Sequence, residues 1–201
     1  MFQVRFHGRG GQGVVTAAEL LAAAAFSEGR YAQAFPSFGS ERMGAPVLSF
    51  CRIDRKPIRT REPVTEPDAL VIQDPTLLHQ ADLFAGLTAS GYVLINATRS
   101  FTQLGLADLV ATRDSVRLLT IPASSLAMSR LGRPLPGAPL LAALAALTGV
   151  VSLDGVLAAI DDRFTGQVAA GNTAAAVAAF DYVLAERSEY GRAERTELTG
   201  A

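Results

Sequence analysis

Short runs that are apolar at nearly every position recur through the first 121 residues of the chain. Such runs, for example residues 69–73 and 91–95, are typical of strands that are buried on both faces of a parallel sheet. The pattern predicts six strands, at residues 2–6, 31–35, 46–53, 69–73, 91–95 and 116–121. Helical segments separate many of them. We therefore expect an α/β fold, a three-layer α/β/α domain with a mostly parallel but mixed central sheet.

The sheet is expected to be mixed because of one pair of runs. Residues 46–53 and 57–60 are separated only by Asp54, Arg55 and Lys56. A connection of this length suits a β-hairpin, so the pair predicts two adjacent antiparallel strands.

The sequence beyond Pro122 predicts a helical C-terminal part. Start and stop signals indicate four helices, at residues 124–131, 140–148, 152–163 and 174–187. Ser152 is placed to cap the third helix, and Asn172 or Thr173 to cap the fourth. We expect a single domain over residues 1–187, followed by a charged, flexible tail over residues 188–201.

Charge and composition exclude several classes of protein. The 201 residues carry a formal net charge of −1, whereas nucleic acids and acidic membranes are bound through clustered basic charge. The start of the chain lacks the long apolar stretch of a secretory signal, and no apolar run is expected to reach the length of a membrane span. We therefore expect a cytoplasmic chain with no nucleic-acid or membrane partner.

A glycine-rich turn follows the first predicted strand, with the sequence Gly8-Arg9-Gly10-Gly11-Gln12-Gly13. Gly8, Gly10 and Gly13 match the G-x-G-x-x-G spacing between a strand and a helix. Glycines let a ligand approach the backbone, and the first N–H groups of the helix favour an anion. The loop predicts a phosphate-bearing ligand, and the open alternative is a tight turn that binds nothing.

The expected second strand argues against a nicotinamide dinucleotide. A fold that binds NAD carries an Asp or Glu near the end of this strand, which holds the ribose hydroxyls. Residues 30–38 contain no carboxylate. A stand-alone Rossmann oxidoreductase using NAD or a flavin therefore stays only as a weaker alternative.

The segment between the second and third predicted strands, residues 35–46, combines aromatic residues, prolines and glycines with the pair Glu41-Arg42. Such a loop is expected to cover a ligand or to contact another subunit. Arg42 suits a phosphate or carboxylate, and Glu41 is placed to hold it. A self-packed loop with a surface ion pair is the alternative.

The remaining reactive residues predict no catalytic group in this chain. Cys51 is the only cysteine, so it cannot build a cluster or a disulfide framework alone and is expected to be a buried strand residue. His7 is expected to have a structural role beside the glycine turn, and His79 to lie on the surface. Asp161 and Asp162 are adjacent in a predicted helix and do not share a face.

Several of these stretches together resemble the gamma subunits of pyruvate:ferredoxin oxidoreductase and related 2-oxoacid:acceptor oxidoreductases. The resemblance is carried by five stretches, at residues 5–18, 31–36, 39–46 and 56–59, and at residues 66–68 together with 73–78. It is strong through residue 78 and weaker in the helical half. One departure is Gly137-Ala138-Pro139, where the family pattern has an Asn-Thr pair.

The resemblance implies one subunit of a larger enzyme. Members of the family decarboxylate a 2-oxoacid on thiamine diphosphate, pass electrons through iron–sulfur clusters to ferredoxin, and release an acyl-CoA. It implies that the alpha, beta and delta-type partner subunits hold thiamine diphosphate, Mg and 4Fe-4S clusters, and that this chain contributes the coenzyme A (CoA) site. The implied CoA-binding residues are Gly8, Arg9, Gly10, Gly11, Gln12, Gly13, Thr16, Ser37 and Arg42.

The resemblance leaves the substrate and one alternative open. Pyruvate is the preferred 2-oxoacid, because residues 34–36 and 40–42 look most like those of pyruvate-type members, and branched-chain 2-oxoacids are the alternative. A subunit that keeps the fold without binding CoA is a further possibility.

Overall fold

The structure is a computed structural model, and it describes residues 1–37, 43–79 and 83–199, with side chains through residue 188. Its centre is a six-stranded sheet in the order β2-β3-β1-β4-β5-β6. The strands are β1 Phe2–Arg9, β2 Tyr31–Pro36, β3 Pro46–Asp54, β4 Ala69–Ile72, β5 Tyr92–Asn96 and β6 Leu118–Ile121. Each of the six strands predicted from the sequence is confirmed, and boundaries differ by a few residues.

The sheet is parallel on one side and antiparallel on the other. Strands β1, β4, β5 and β6 run parallel to one another, whereas β3 lies antiparallel between β1 and β2. The mixed sheet is therefore confirmed, but the predicted hairpin after Asp54 is wrong. Residues 57–60 form no strand. Because β3 already has a partner along both edges, it offers no free edge on which a further strand could pair.

Six helices connect and cover the strands of the described chain. They are α1 Val14–Ser27, α2 Ala107–Thr112, α3 Ala123–Leu131, α4 Gly137–Thr148, α5 Leu153–Arg163 and α6 Gly166–Thr199. Ser152 caps α5 as predicted, since its Oγ accepts a hydrogen bond from the N–H of Gly155 at 3.0 Å. The caps predicted at Asn172 and Thr173 are wrong, because both residues lie inside α6.

Helix α6 also differs from the expected end of the domain. Its backbone is helical through Thr199, so the segment predicted as a tail continues the helix, and its flexibility stays a prediction. The segment Gly166–Ser188 of α6 is long and apolar enough to cross a membrane, judged by length and composition only, and its mean hydropathy is 1.3. The expectation that no run reaches this length is therefore wrong for α6. Its buried residues, including Ala176 and Val183, pack in the main core as those of a core helix do.

Two apolar clusters lie on opposite faces of the sheet. The larger joins Val4, Phe6 and Val71 to α1 and to the C-terminal helices, whose alanines allow close packing. The smaller covers Leu70, Ile72, Val93 and Ile95 with short 3-10 turns and α2. The three-layer α/β/α prediction is confirmed, with a second helical layer made of short segments.

Candidate functional site

The glycine turn lies at the carboxyl end of β1, between Arg9 and the first residue of α1, Val14. Gly11 and Gly13 have φ angles of +93° and +73°, a backbone region that residues with a side chain rarely adopt. Gly8 is required for a different reason. A Cβ at this position would lie 2.6 Å from Val14 Cγ2 and 3.2 Å from the Cβ of Gln73. The turn therefore depends on glycine both for its backbone angles and for close packing.

Side chains at the end of β1, in the turn itself and just after β4 hold the turn in place. Gln12 accepts a hydrogen bond from the N–H of Arg9 at 2.8 Å and donates through Nε2 to Asp74 at 2.9 Å. Arg9 forms an ion pair with the same carboxylate at 3.1 Å and donates to the hydroxyl of Thr76 at 2.8 Å. Thr76 in turn donates to the second oxygen of Asp74 at 2.7 Å. Asp74 thus ties the turn to the end of β4.

Asp74 stays ionised because of these partners. Burial alone would raise its pKa, but hydrogen bonds from Thr76 and Gln12 and the charge of Arg9 outweigh burial and lower it below the ordinary value. Its carboxylate accepts hydrogen bonds from Gln12 and from both the hydroxyl and the backbone N–H of Thr76, and it pairs with Arg9. The negative charge of Asp74 is therefore balanced by the positive charge of Arg9.

The start of α1 lacks the usual helix cap. Gly13 has no side chain to accept a hydrogen bond, and the first turn contains no acidic residue. Among the described residues, no group accepts a hydrogen bond from the N–H of Val14, Val15 or Thr16. These N–H groups and the positive end of the helix dipole together attract an anion.

Three open cavities surround the turn. The first, of about 490 Å³, is lined by Arg9 to Gly11, Gly13 to Thr16, Met43 and Val47. The second, of about 350 Å³, lies between Gly11 to Leu20 and the helical C-terminal part. The third, of about 360 Å³, lies at the carboxyl ends of β4 and β5 and at the start of α3. Each of the three has a volume within the range of ligand pockets.

The structure brings together most of the residues predicted to bind a ligand. Residues 8–13 form the turn and Thr16 lies in the first turn of α1, beside the first two cavities. Ser37 follows β2, where its backbone N–H donates to Leu48 at 2.9 Å, and it is not among the residues that line the cavities. Arg42 and Glu41 lie outside the described residues.

The sequence reasoning missed the polar residues that follow β4 and β5. Gln73, Asp74 and Asn96 stand where two parallel strands end, and all three line the third cavity. A usable signal was present, since each follows a run of buried apolar residues and ligands bind outside the carboxyl ends of parallel strands.

The other reactive residues hold structural positions. Cys51 is fully buried, and burial raises the pKa of its thiol. His7 accepts a hydrogen bond from Arg5 Nε at 3.1 Å, and burial together with the charge of Arg5 lowers its pKa to about 4. His7 is therefore neutral near pH 7, in agreement with a structural role. His79 is exposed, as are Asp161 and Asp162.

The fold and the turn define an α/β protein of the open-sheet type, in which an uncapped helix start meets the carboxyl edge of a largely parallel sheet. Residues 3–182 match the family described as pyruvate ferredoxin/flavodoxin oxidoreductase. The chain belongs to this family, and its relatives mark it as a gamma-type enzyme subunit.

Two relatives agree with this assignment. The chain is 46% identical to the pyruvate/ketoisovalerate oxidoreductases common subunit gamma of Pyrococcus abyssi, over 90% of this chain and 96% of the relative. Its fold is similar to the crystal structure of pyruvate oxidoreductase subunit PORC of Thermotoga maritima, with a TM-score of 0.74 over 90% of this chain and 95% of the other. The two sequences are 32% identical.

A more distant likeness concerns the fold alone. A 2-oxoglutarate:ferredoxin oxidoreductase from Magnetococcus marinus, solved with 2-oxoglutarate, coenzyme A and succinyl-CoA bound, is 18% identical with a TM-score of 0.66. The match covers 92% of this chain and 30% of the larger one. The resemblance seen in the sequence is confirmed by the nearer relatives.

Proposed function

We propose that the chain is the gamma subunit of a multi-subunit 2-oxoacid:ferredoxin oxidoreductase that forms an acyl-CoA and delivers electrons to ferredoxin. The proposal is supported by similarity to gamma-type subunits over nearly their whole length. Alpha, beta and delta-type subunits are its partners and hold thiamine diphosphate, Mg and 4Fe-4S clusters. The complex acts in the cytoplasm.

The substrate proposed for the complex is pyruvate, with a branched-chain 2-oxoacid as the alternative. The name of the Pyrococcus abyssi relative describes one gamma subunit common to a pyruvate and a ketoisovalerate oxidoreductase. A shared subunit of that kind implies that the choice of 2-oxoacid is made by other chains. The contribution of this chain is then the part that both reactions have in common.

That common part is CoA, which we assign to the glycine turn of this chain. The observation that carries the assignment is the uncapped start of α1, whose first N–H groups lie beside a cavity of about 490 Å³. CoA carries three phosphate groups, and a phosphate bound here would accept hydrogen bonds that the fold itself does not supply.

The residues of the turn have different roles in this proposal. The backbone of Gly11 and Gly13 and the N–H groups of Val14 to Thr16 bind phosphate, and the hydroxyl of Thr16 adds a further donor. Arg9 and Gln12 hold the turn in its shape, because both are engaged with Asp74. Ser37 and Arg42 remain proposed contacts to CoA or to a neighbouring subunit.

The experiment compares two glycines at the two ends of α1. Gly13 and Gly29 have φ angles of +73° and +75°, and a Cβ at either position meets no neighbour within 4 Å. Replacement by Asp therefore introduces the same backbone strain and the same charge at both. Only Gly13→Asp places a carboxylate at the proposed phosphate site.

The affinity of the assembled complex for CoA is measured by titration calorimetry. We expect Gly13→Asp to weaken binding at least about tenfold and Gly29→Asp to leave it unchanged. Equal effects of the two variants would contradict the phosphate site. A wild-type complex with no CoA binding at this subunit would leave a structural role for the chain.

A further inference from the structure

Gln73 is a buried side chain without a hydrogen-bond partner. It follows β4 directly and is 1% exposed, and neither its Nε2 nor its Oε1 is paired with any described residue. A buried donor and acceptor left unpaired destabilise a protein, so such a group in a folded chain needs an explanation.

The surroundings of Gln73 point to a ligand. It lines the cavity of about 360 Å³ between the glycine turn and the start of α3. The missing side chain of Gly8 makes room for it, since a Cβ there would lie 3.2 Å from the Cβ of Gln73. Gln73 is therefore accommodated by the same glycine that shapes the turn.

The neighbouring polar groups are already paired with one another. Asn96 donates to the backbone carbonyl of Gln73 at 2.9 Å and to the hydroxyl of Ser124 at 2.8 Å, and its own oxygen accepts from the N–H of Ser124 at 3.0 Å. Asp74 is engaged by Arg9, Gln12 and Thr76. These contacts fix the walls of the cavity without using the amide of Gln73.

A primary amide presents one donor and one acceptor side by side. Its complement is a planar group with an adjacent acceptor and donor, such as the edge of adenine or another primary carboxamide. A carboxylate or a phosphate has no donor and would satisfy only half of the amide. The chemistry of Gln73 thus differs from that of the anion site at α1.

We propose that Gln73 binds such a planar group of the same ligand whose phosphate lies at the start of α1. The proposal rests on the function proposed above. CoA carries both chemistries, phosphate groups and, at the edge of its adenine, an adjacent donor and acceptor. Gln12 of the turn lines the cavity that contains Gln73, so this cavity borders the turn that precedes α1. In the proposal, one extended ligand lies across the turn and contacts both sites.

The test is the variant Gln73→Met, which keeps the length of the side chain and removes its polar atoms. The assembled complex is titrated with CoA, with adenosine 3′,5′-bisphosphate and with 4′-phosphopantetheine. We expect CoA affinity to fall about tenfold, as for the loss of one bidentate pair. We expect the affinity for adenosine 3′,5′-bisphosphate to fall as well and the affinity for 4′-phosphopantetheine to stay unchanged. A loss confined to 4′-phosphopantetheine would overturn the proposal.

A matched control is Gln33→Met. Gln33 lies on β2 at the far edge of the sheet, and its Oε1 is also buried without a described partner. The Gln33→Met variant should leave the affinities for CoA, adenosine 3′,5′-bisphosphate and 4′-phosphopantetheine unchanged. Unchanged CoA affinity in Gln73→Met would overturn the proposal and leave Gln73 with bound water only. Absence of CoA binding in the wild-type complex would instead overturn the proposed function together with this inference.

A second measurement covers the case in which Gln73→Met fails to assemble. Hydrogen–deuterium exchange of the wild-type complex is compared with and without CoA. Slower exchange is expected at residues 96–99 and 124–125, which line the Gln73 cavity, as well as at residues 10–16. Protection confined to residues 10–16 would overturn the proposal.

Discussion

The starts of α1 and α5 solve the same structural problem in opposite ways. At α5, Ser152 accepts from the N–H of Gly155, and Asp154 lies in the first turn. Glu28 supports the cap by accepting hydrogen bonds from the N–H and the hydroxyl of Ser152 at 2.6 and 2.8 Å. At α1, Gly13 provides no cap and no acid follows it.

Under the proposed function, the difference separates a helix start that serves stability from one that serves binding. A side-chain cap is worth about 1 kcal/mol, which α1 forgoes. Burial of its apolar face, including Leu20, Leu21 and Ala24, holds the helix in place instead. The uncapped N–H groups are then free to meet a ligand.

The largest expected effect follows from filling the space at Gly8. Gly8→Val would force Val14 and Gln73 apart, because even a Cβ lies 2.6 Å from Val14. We expect a loss of about 1–3 kcal/mol in the free energy of unfolding, and weaker CoA binding as α1 shifts. Chemical denaturation of the full chain measures the first effect. Gly8→Ala should cause a smaller loss, and a fully tolerated valine would contradict the packing described here.

Removal of the cap at α5 should affect stability alone. Ser152→Ala is expected to cost about 1 kcal/mol in the free energy of unfolding and to leave CoA affinity unchanged. Ser152→Thr retains the hydroxyl and should lose less. If the alanine variant bound CoA more weakly, the division between the two helix starts would be broken.

Two carboxylates allow the comparison to be made with pH. The pKa of Asp74, near α1, and the pKa of Glu28, at α5, both lie below their ordinary values. Burial would raise both pKa values. Hydrogen bonds outweigh this effect, from Thr76 to Asp74 and from Ser152 to Glu28. As the pH falls, the two carboxylates are protonated in the unfolded chain before they are protonated in the folded chain. Each ionised carboxylate therefore stabilises the fold at pH values above its ordinary pKa, and this stabilisation is lost as the pH falls through the lowered pKa.

Asp74→Asn and Glu28→Gln should therefore each flatten the decline of stability below about pH 5, measured by denaturation at a series of pH values. Only Asp74→Asn should also weaken CoA binding at neutral pH, because it releases Arg9 and Gln12. Equal CoA affinities in the two variants would show that Asp74 does not shape the turn.

The local elements could be predicted from the sequence, and the long-range pairings could not. The apolar runs predicted all six strands. Ser152 predicted the start of α5, because a helix cap contacts only residues within one turn of it. The hairpin after Asp54 was wrong because strand partners are chosen by the whole sheet, and β3 pairs with β1 and β2. The caps at Asn172 and Thr173 were wrong because α6 begins earlier, at Gly166.

The candidate site follows the same division. Residues 8–13 were found because spacing of glycines is a local signal. The ion pair between Arg9 and Asp74 joins residues that are 65 positions apart in the sequence. The unpaired amide of Gln73 is recognised only from its burial in the fold. Neither feature can be predicted from a local sequence pattern. Both become visible only when β1 and β4 lie side by side.

The most direct measurement uses Thr16→Glu in the assembled complex. A glutamate at the third position of α1 supplies the missing negative charge and a partner for the open N–H groups. We expect the free energy of unfolding to rise by about 0.5 kcal/mol while the affinity for CoA falls at least about tenfold. Ser27→Glu, at the opposite end of α1, is the control and should leave CoA affinity unchanged. A stabilised Thr16→Glu variant that bound CoA as tightly as the wild type would contradict the account.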